Sequence, residues 1–197
     1  MQVPHWSFSA PTKTCVHAFL EKQIAEPFSY REIEATRGHP PRGYDYDDSE
    51  VQLGEGKAVY DRAVEALFAW QMFPPAWTRI LTAETGQIHP GLNLVVQARA
   101  SGLWWLNACR VVYLVDEQNP VRRRGFAYGT LPAHLEQGEE LFTIEQWADG
   151  TVWYRVQAFS RPRCWAARAG KPLVRHWQRK FVRDSQATIL QAVRTPE

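Results

Sequence analysis

The amino-acid sequence predicts an α+β domain: a curved antiparallel β-sheet wrapped around a long C-terminal α-helix, with helical structure ahead of it at the N-terminus. Three observations carry this expectation. From Leu92 to Ser160 the apolar residues recur with a period close to two, in segments separated by turn signals. The connections between these segments are short, which implies antiparallel neighbours. After them, Pro172 to Ala192 carries its apolar residues at helical spacing. A bent sheet that offers its concave side to such a stripe buries both, and it leaves a hollow wherever side chains do not fill the space between them.

The elements follow in chain order. Ala10 to Glu26 reads as a helix, capped by Ser9 or Thr12 and ended by Pro27. Phe28 to Thr36 reads as extended, with Tyr30, Glu32 and Glu34 alternating against Ile33 and Ala35. Pro40 and Pro41 make His39 to Tyr44 a stiff turn. Tyr44 to Val51 is expected to be an acidic loop. Gly56 to Phe73 is a helix whose stripe is Val59, Ala63, Ala66, Leu67, Trp70 and Phe73, stopped by Pro74 and Pro75. Strands are expected at Leu94 to Val96, Trp104 to Val115, Arg124 to Leu131, Glu139 to Trp147 and Thr151 to Ser160. Asp149-Gly150 is the strongest hairpin signal between them. In the last helix Pro172 suits the first turn, and Val174, Trp177, Phe181, Ser185, Ile189 and Val193 form one face. These elements make one domain over 1–197, with 1–27 as an N-terminal helical extension and 28–193 as the sheet-and-helix unit.

Composition bounds the function classes. Hydrophobic residues at 45% and charged residues at 22% of 197 exclude a wholly disordered chain. Nine tryptophans suit a core or the walls of a pocket for flat or greasy molecules. Cys15, Cys109 and Cys164 are too widely spaced for a zinc knuckle or a disulfide framework, and one thiol stays unpaired. That favours a reducing, cytoplasmic setting. The N-terminus lacks signal-peptide features, and the longest apolar run, Leu103 to Val115, is interrupted by Asn107 and Arg110. No transmembrane segment is expected. The formal net charge is only +2, but nine basic and no acidic residues lie from Arg155 through Arg183. Acidic residues gather at Asp45, Asp47, Asp48 and Glu50, and again at Glu136, Glu139, Glu140 and Glu145. A solvated helix face opposite acidic loops is the favoured account, and a local field for an anionic partner is the alternative.

Five segments carry a family resemblance: YREIEAT (Tyr30 to Thr36), PRGY (Pro41 to Tyr44), LFAWQMF (Leu67 to Phe73), GFAYGTLPAHLEQGEELFTIE (Gly125 to Glu145) and VWYRVQAFSRP (Val152 to Pro162). Together, and in this order, they resemble uncharacterised protein family 0548 from Phe28 to Ala192. That family is placed near the START-like (SRPBCC) helix-grip superfamily of lipid-transfer proteins, polyketide cyclases and pollen-allergen-like proteins. The resemblance implies a helix-grip fold. It implies no reaction and no catalytic residues.

Candidate chemistry comes from the residues themselves. His134 stands near Glu136, Glu139 and Glu140. A carboxylate beside imidazole raises its pKa and makes an acid–base pair, and the same groups suit a cation. Against this, Pro132 to Gly138 reads as a loop, where polar residues are ordinary. Phe126, Tyr128 and Thr130 share one strand face, and Gly129 on the other permits a close approach. Glu32 and Glu34 fall on one side of an extended segment. His39, His89 and His176 are isolated, Cys109 reads as a packing group, and no nucleophile elbow or phosphate loop is present. The catalytic candidates are therefore His134, Glu136 and Tyr128, with no metal or cofactor expected. Trp104, Phe126, Tyr128, Phe142, Trp153 and Tyr154, facing Trp177 and Phe181, are the expected ligand-binding wall. A carrier of a small apolar or aromatic molecule is the first expectation. A cyclase, hydratase or isomerase in the same cavity is the second. A binder of nucleic acid or anionic surfaces, using the basic stretch 155–183 with Trp165 and Trp177, is the least favoured. The sequence carries no signal for oligomeric state.

Overall fold

Strands β2 (Asp45–Glu55), β3 (Thr78–Thr82), β4 (Asn93–Ala100), β5 (Leu103–Glu117), β6 (Arg122–Thr130), β7 (Glu136–Gln146) and β8 (Thr151–Pro162) form one antiparallel sheet in the order β2-β8-β7-β6-β5-β4-β3. A short β1 (His5–Ser7) adds to β5 off this path. The structure, a computed structural model, describes residues 5–163 and 169–194. The described residues also form helices α1 (Lys13–Glu21), α2 (Lys57–Phe68) and α3 (Lys171–Val193), and a 3-10 turn at Ala35–Arg37. The sheet curves, and α2 and α3 occupy its concave side. Helix α1 sits on the convex side, where Val16 and Leu20 pack with Val95 and Leu106. Thr12 supplies its cap by accepting the Cys15 amide at 3.3 Å.

The concave face is graded in side-chain size. Along β8 the inward residues run Tyr154, Val156, Ala158, Ser160, and along β7 they run Ile144, Phe142, Glu140, Gly138. Along β4 they run Leu94, Val96, Ala98, Ala100. The large ends meet α2 and the C-terminal half of α3: Tyr60, Leu67, Phe126, Phe142, Ile144, Tyr154, Ile189 and Val193 form one buried cluster. Burial of Ile189 and Val193 stabilises the docked helix by about 2 kcal/mol each. Ser185 is buried there too, and its hydroxyl meets Tyr154 Oη at 2.8 Å. The small ends lie under the N-terminal half of α3. There the space beneath the helix is only partly filled.

Several segments depart from the sequence expectations. Phe28 to Thr36 is not extended: Glu34 takes φ 66° and the chain turns into the 3-10 segment. The driving contact is Glu139, which points to the convex side and accepts from Tyr30 Oη at 2.7 Å, Glu34 N at 2.9 Å, Thr36 N at 3.1 Å and the Thr36 hydroxyl. Gly129 allows this close approach, because a Cβ there would run into the Tyr30 ring and hydroxyl. Glu32 and Glu34 therefore share no face; Glu32 accepts from Tyr44 Oη at 2.7 Å and Glu34 pairs with Arg37 at 3.1 Å. Residues 45–51 are not a loop but the start of edge strand β2. Its charges are compensated by partners far away in sequence, which outweighs the poor strand propensity of aspartate. Strand β3 has no counterpart among the expected elements. Helix α2 ends five residues early, where Trp70 adopts φ 61° and the Gln71 amide donates back to Ala66 O at 2.9 Å.

Glu139 thus fastens residues 30–36 to the outside of the sheet. Glu139→Ala is expected to lower unfolding stability by about 3 kcal/mol in urea titration, since it strands four donors at once. Loss of less than about 0.5 kcal/mol, the range of an ordinary surface change, contradicts the role given to this carboxylate.

Candidate functional site

Where the inward residues become small, a cavity of about 610 Å³ opens between the sheet and the N-terminal half of α3. Its apolar wall combines Val96, Ala98 and Trp105 of the sheet with Phe73, Trp77, Trp177 and Phe181. The rings hold one another: Trp77 and Trp177 lie 5.5 Å apart, Phe73 and Phe181 5.3 Å. Two of the indoles are also tied by their N–H groups, Trp77 to Asp184 at 3.0 Å and Trp177 to Ser101 Oγ at 3.2 Å. The second bond joins α3 to the tip of the β4–β5 hairpin, where Ser101 and Gly102 both take positive φ. Exposed Arg179 and Arg183 stand at the rim.

The opposite wall is polar and comes mostly from β7. Because Glu136, Gly138 and Glu140 alternate inward, both carboxyls reach the cavity. Glu140 accepts from Tyr128 Oη at 2.6 Å. Burial, aided by the nearby Asp47 carboxylate, pushes the Glu140 carboxyl up to about 7 despite that bond. Glu136 is 7% exposed, and burial together with Asp45 raises it to about 7 as well, against the pull of a Ser160 hydrogen bond and of Arg175 and Lys171. Tyr128 is held well above its ordinary value by burial and by Glu140. His134 behaves differently from a histidine paired with a carboxylate. Its Nδ1 accepts the Glu136 amide at 3.0 Å, and burial, reinforced by the Arg163 guanidinium, takes the imidazole down to about 4. The ring is neutral near pH 7 and carries its proton on Nε2.

All four polar candidates, His134, Glu136, Glu139 and Glu140, border the cavity, but the Glu139 carboxylate is spent on residues 30–36 at the convex side. Of the aromatic candidates, Tyr128, Trp177 and Phe181 line the hollow. Phe126, Phe142 and Tyr154 face inward but are sealed in the packed core beside it. Trp104 and Trp153 point to the convex face; Trp104 lies under the Arg79 guanidinium, and Trp153 donates to Thr151 Oγ1 at 3.0 Å. On β5 it is the next residue, Trp105, that lines the cavity. Strand phase explains this, since one step along a strand exchanges the faces. Trp77, Trp105, Phe73 and Glu140 were not among the expected wall residues. The shrinking of alternate side chains along β4, β7 and β8 is the sequence signal that could have located the hollow.

The basic stretch is largely paired within the fold. Arg155 forks onto Asp48 at 2.8 Å and 2.5 Å, Arg175 reaches Asp47 at 2.6 Å, and Lys171 meets Asp45 at 2.7 Å. Cys164, Trp165 and Arg168 lie outside the described residues. Among the described residues Cys109 is a buried free thiol, and no group of three or more histidines, cysteines and carboxylates gathers as a metal-ligand set. No helix in the described residues is long and apolar enough to cross a membrane.

A curved antiparallel sheet gripping a C-terminal helix over such a hollow defines a helix-grip protein. The solved Zhui aromatase/cyclase from Streptomyces sp. R1128 has a similar fold, with a TM-score of 0.53 at 11% identity over 76% of this chain and 93% of that one. Within that class the chain belongs to the DUF1990 family, a domain of unknown function whose model matches residues 29–188. It is 36% identical over 192 residues to a UPF0548 protein of Deinococcus radiodurans, covering 92% of this chain and 96% of the other. A UPF0548 protein of Dictyostelium discoideum is 30% identical over 205 residues, covering 94% of each.

The raised carboxyls tie stability to pH. Glu136 and Glu140 move from an ordinary 4.5 to about 7, so the folded chain keeps protons that the unfolded chain releases. Their effect is fully favourable below about 4.5 and is lost as pH rises towards 7. His134 has the opposite sign: it favours folding above 6.5 and loses that as pH falls to about 4. Glu140→Gln keeps an acceptor for Tyr128 and removes one buried charge. It is expected to gain on the order of 1 kcal/mol over the native chain at pH 8 and little at pH 5 in urea unfolding. An equal gain at both values rules out a raised Glu140.

Proposed function

We propose that this protein holds a small, largely apolar or aromatic molecule in the cavity beneath the N-terminal half of α3. The observation that carries this reading is the cavity itself, about 610 Å³ and walled by Trp77, Trp105, Trp177 and Phe181. Hollows of about 300–1,000 Å³ with few polar groups suit small organic molecules. Apolar area left unfilled at this scale forgoes dispersion contacts that an occupant restores. A similar fold in a protein named an aromatase/cyclase is in keeping with this use. The uncharged fluorophore N-phenyl-1-naphthylamine is expected to bind with a blue shift. Ala158→Trp, which fills the hollow from β8, is expected to weaken that binding at least about tenfold while the melting temperature holds. Equal binding by the filled variant defeats the reading.

Tyr128 and Glu140, 2.6 Å apart inside the cavity, favour a second reading as an acid–base enzyme of the cyclase, hydratase or isomerase kind. A carboxyl near 7 is suited to accepting and returning a proton at neutral pH. On that reading the protein accelerates exchange of the acidic C–H of a 1,3-diketone with D2O, and Glu140→Gln abolishes the acceleration. A rate unchanged by the substitution eliminates it.

A further inference from the structure

We propose that the molecule held in this cavity carries a basic nitrogen at one end, and that this nitrogen pairs with Glu136. The inference rests on the binding reading above and specifies its ligand class. Glu136 is more than nine-tenths buried, it lines the cavity, and its Oε1 has no hydrogen-bond partner among the described residues. A buried carboxylate oxygen without a donor is costly, and a ligand that supplies the donor recovers that cost.

The surrounding groups leave this sealed acceptor unpaired. On α3, Lys171 is committed to Asp45 at 2.7 Å and Arg175 to Asp47 at 2.6 Å, so these two cations that act on Glu136 already have carboxylate partners. From β8, the Ser160 hydroxyl serves Glu136 but receives Gln178 at 3.1 Å. His134 accepts from the backbone of Glu136 and lends its carboxylate no charge. Glu140 does not share the role: one of its oxygens is taken by Tyr128 at 2.6 Å, and four steps along the strand place it about 13 Å from Glu136. One small head group cannot bridge both. An ammonium at Glu136 makes a charge-assisted hydrogen bond in a site with little water, while the aromatic rings across the hollow take the apolar body. A carboxylate in the same place meets the like charge of Glu136 and is repelled.

The test compares three isosteric probes on the full chain by isothermal titration calorimetry: 2-(1-naphthyl)ethylamine, 2-(1-naphthyl)ethanol and 1-naphthylacetate. The amine is expected to bind at least about tenfold more tightly than either of the others. Glu136→Gln is expected to bring the amine to the level of the alcohol and leave the alcohol unchanged, whereas Glu140→Gln keeps the ranking. A native chain that ranks the alcohol or the carboxylate with the amine overturns the proposal, as does a preference that survives Glu136→Gln or disappears with Glu140→Gln. If the alcohol binds without preference for the amine, only the nitrogen assignment fails. If no probe binds and N-phenyl-1-naphthylamine also fails, the cavity reading falls with it.

Discussion

The constraint on which the rest of this structure depends is the grading of inward side chains along the sheet. Where Phe126, Phe142, Ile144 and Tyr154 stand, the concave face is filled and α2 and the end of α3 dock on it. Where alternate residues shrink to Ala98, Ala100, Gly138, Ala158 and Ser160, the same helix runs on over space. A helix kinks sharply only where its hydrogen-bond ladder is interrupted, so the packed C-terminal half of α3 holds the other half clear. The Tyr154–Ser185 bond marks the packed side of this division. The Phe73, Phe181 and Trp77 rings line its open side.

That division also sets the electrostatics. The open end is bordered by the strand ends that carry Glu136 and Glu140, and by β2 with Asp45 and Asp47. The first turns of α3 answer β2 with Lys171 and Arg175, so the acidic edge strand and the basic helix neutralise each other across the mouth. What remains unneutralised is inside. Two carboxyls raised to about 7 by burial mean that the cavity is near the point of changing charge at neutral pH. The charge of the cavity wall therefore depends on pH.

Glu139 shows how strand phase separates roles between neighbours. It follows Gly138 and precedes Glu140, yet it faces the other way and organises residues 30–36 on the convex side. In sequence the four polar residues of this block look like one cluster. In space they are a neutral imidazole, two cavity carboxyls and a structural anchor. The aromatic residues divide in the same manner. Trp104 and Trp105 are adjacent, but the first lies outside beneath Arg79 and the second borders the hollow.

The sequence by itself determined the architecture and most element positions, because period-two and period-3.6 burial are local patterns and each is repeated over many residues. Five strands, both long helices and the Asp149-Gly150 hairpin were legible in this way, and so was the family. It also singled out His134, Glu136, Tyr128, Trp177 and Phe181, which border the cavity, but it read His134 and Glu136 as loop residues where Glu136 begins β7. Only the tertiary structure decided which half of the concave face is hollow, that 45–51 is a strand, and that Tyr30, Thr36 and Glu139 belong together. Those outcomes depend on partners more than a hundred residues apart, such as Tyr30 with Glu139 or Asp47 with Arg175. Their energies outweigh local propensity, and no window of neighbouring residues contains them.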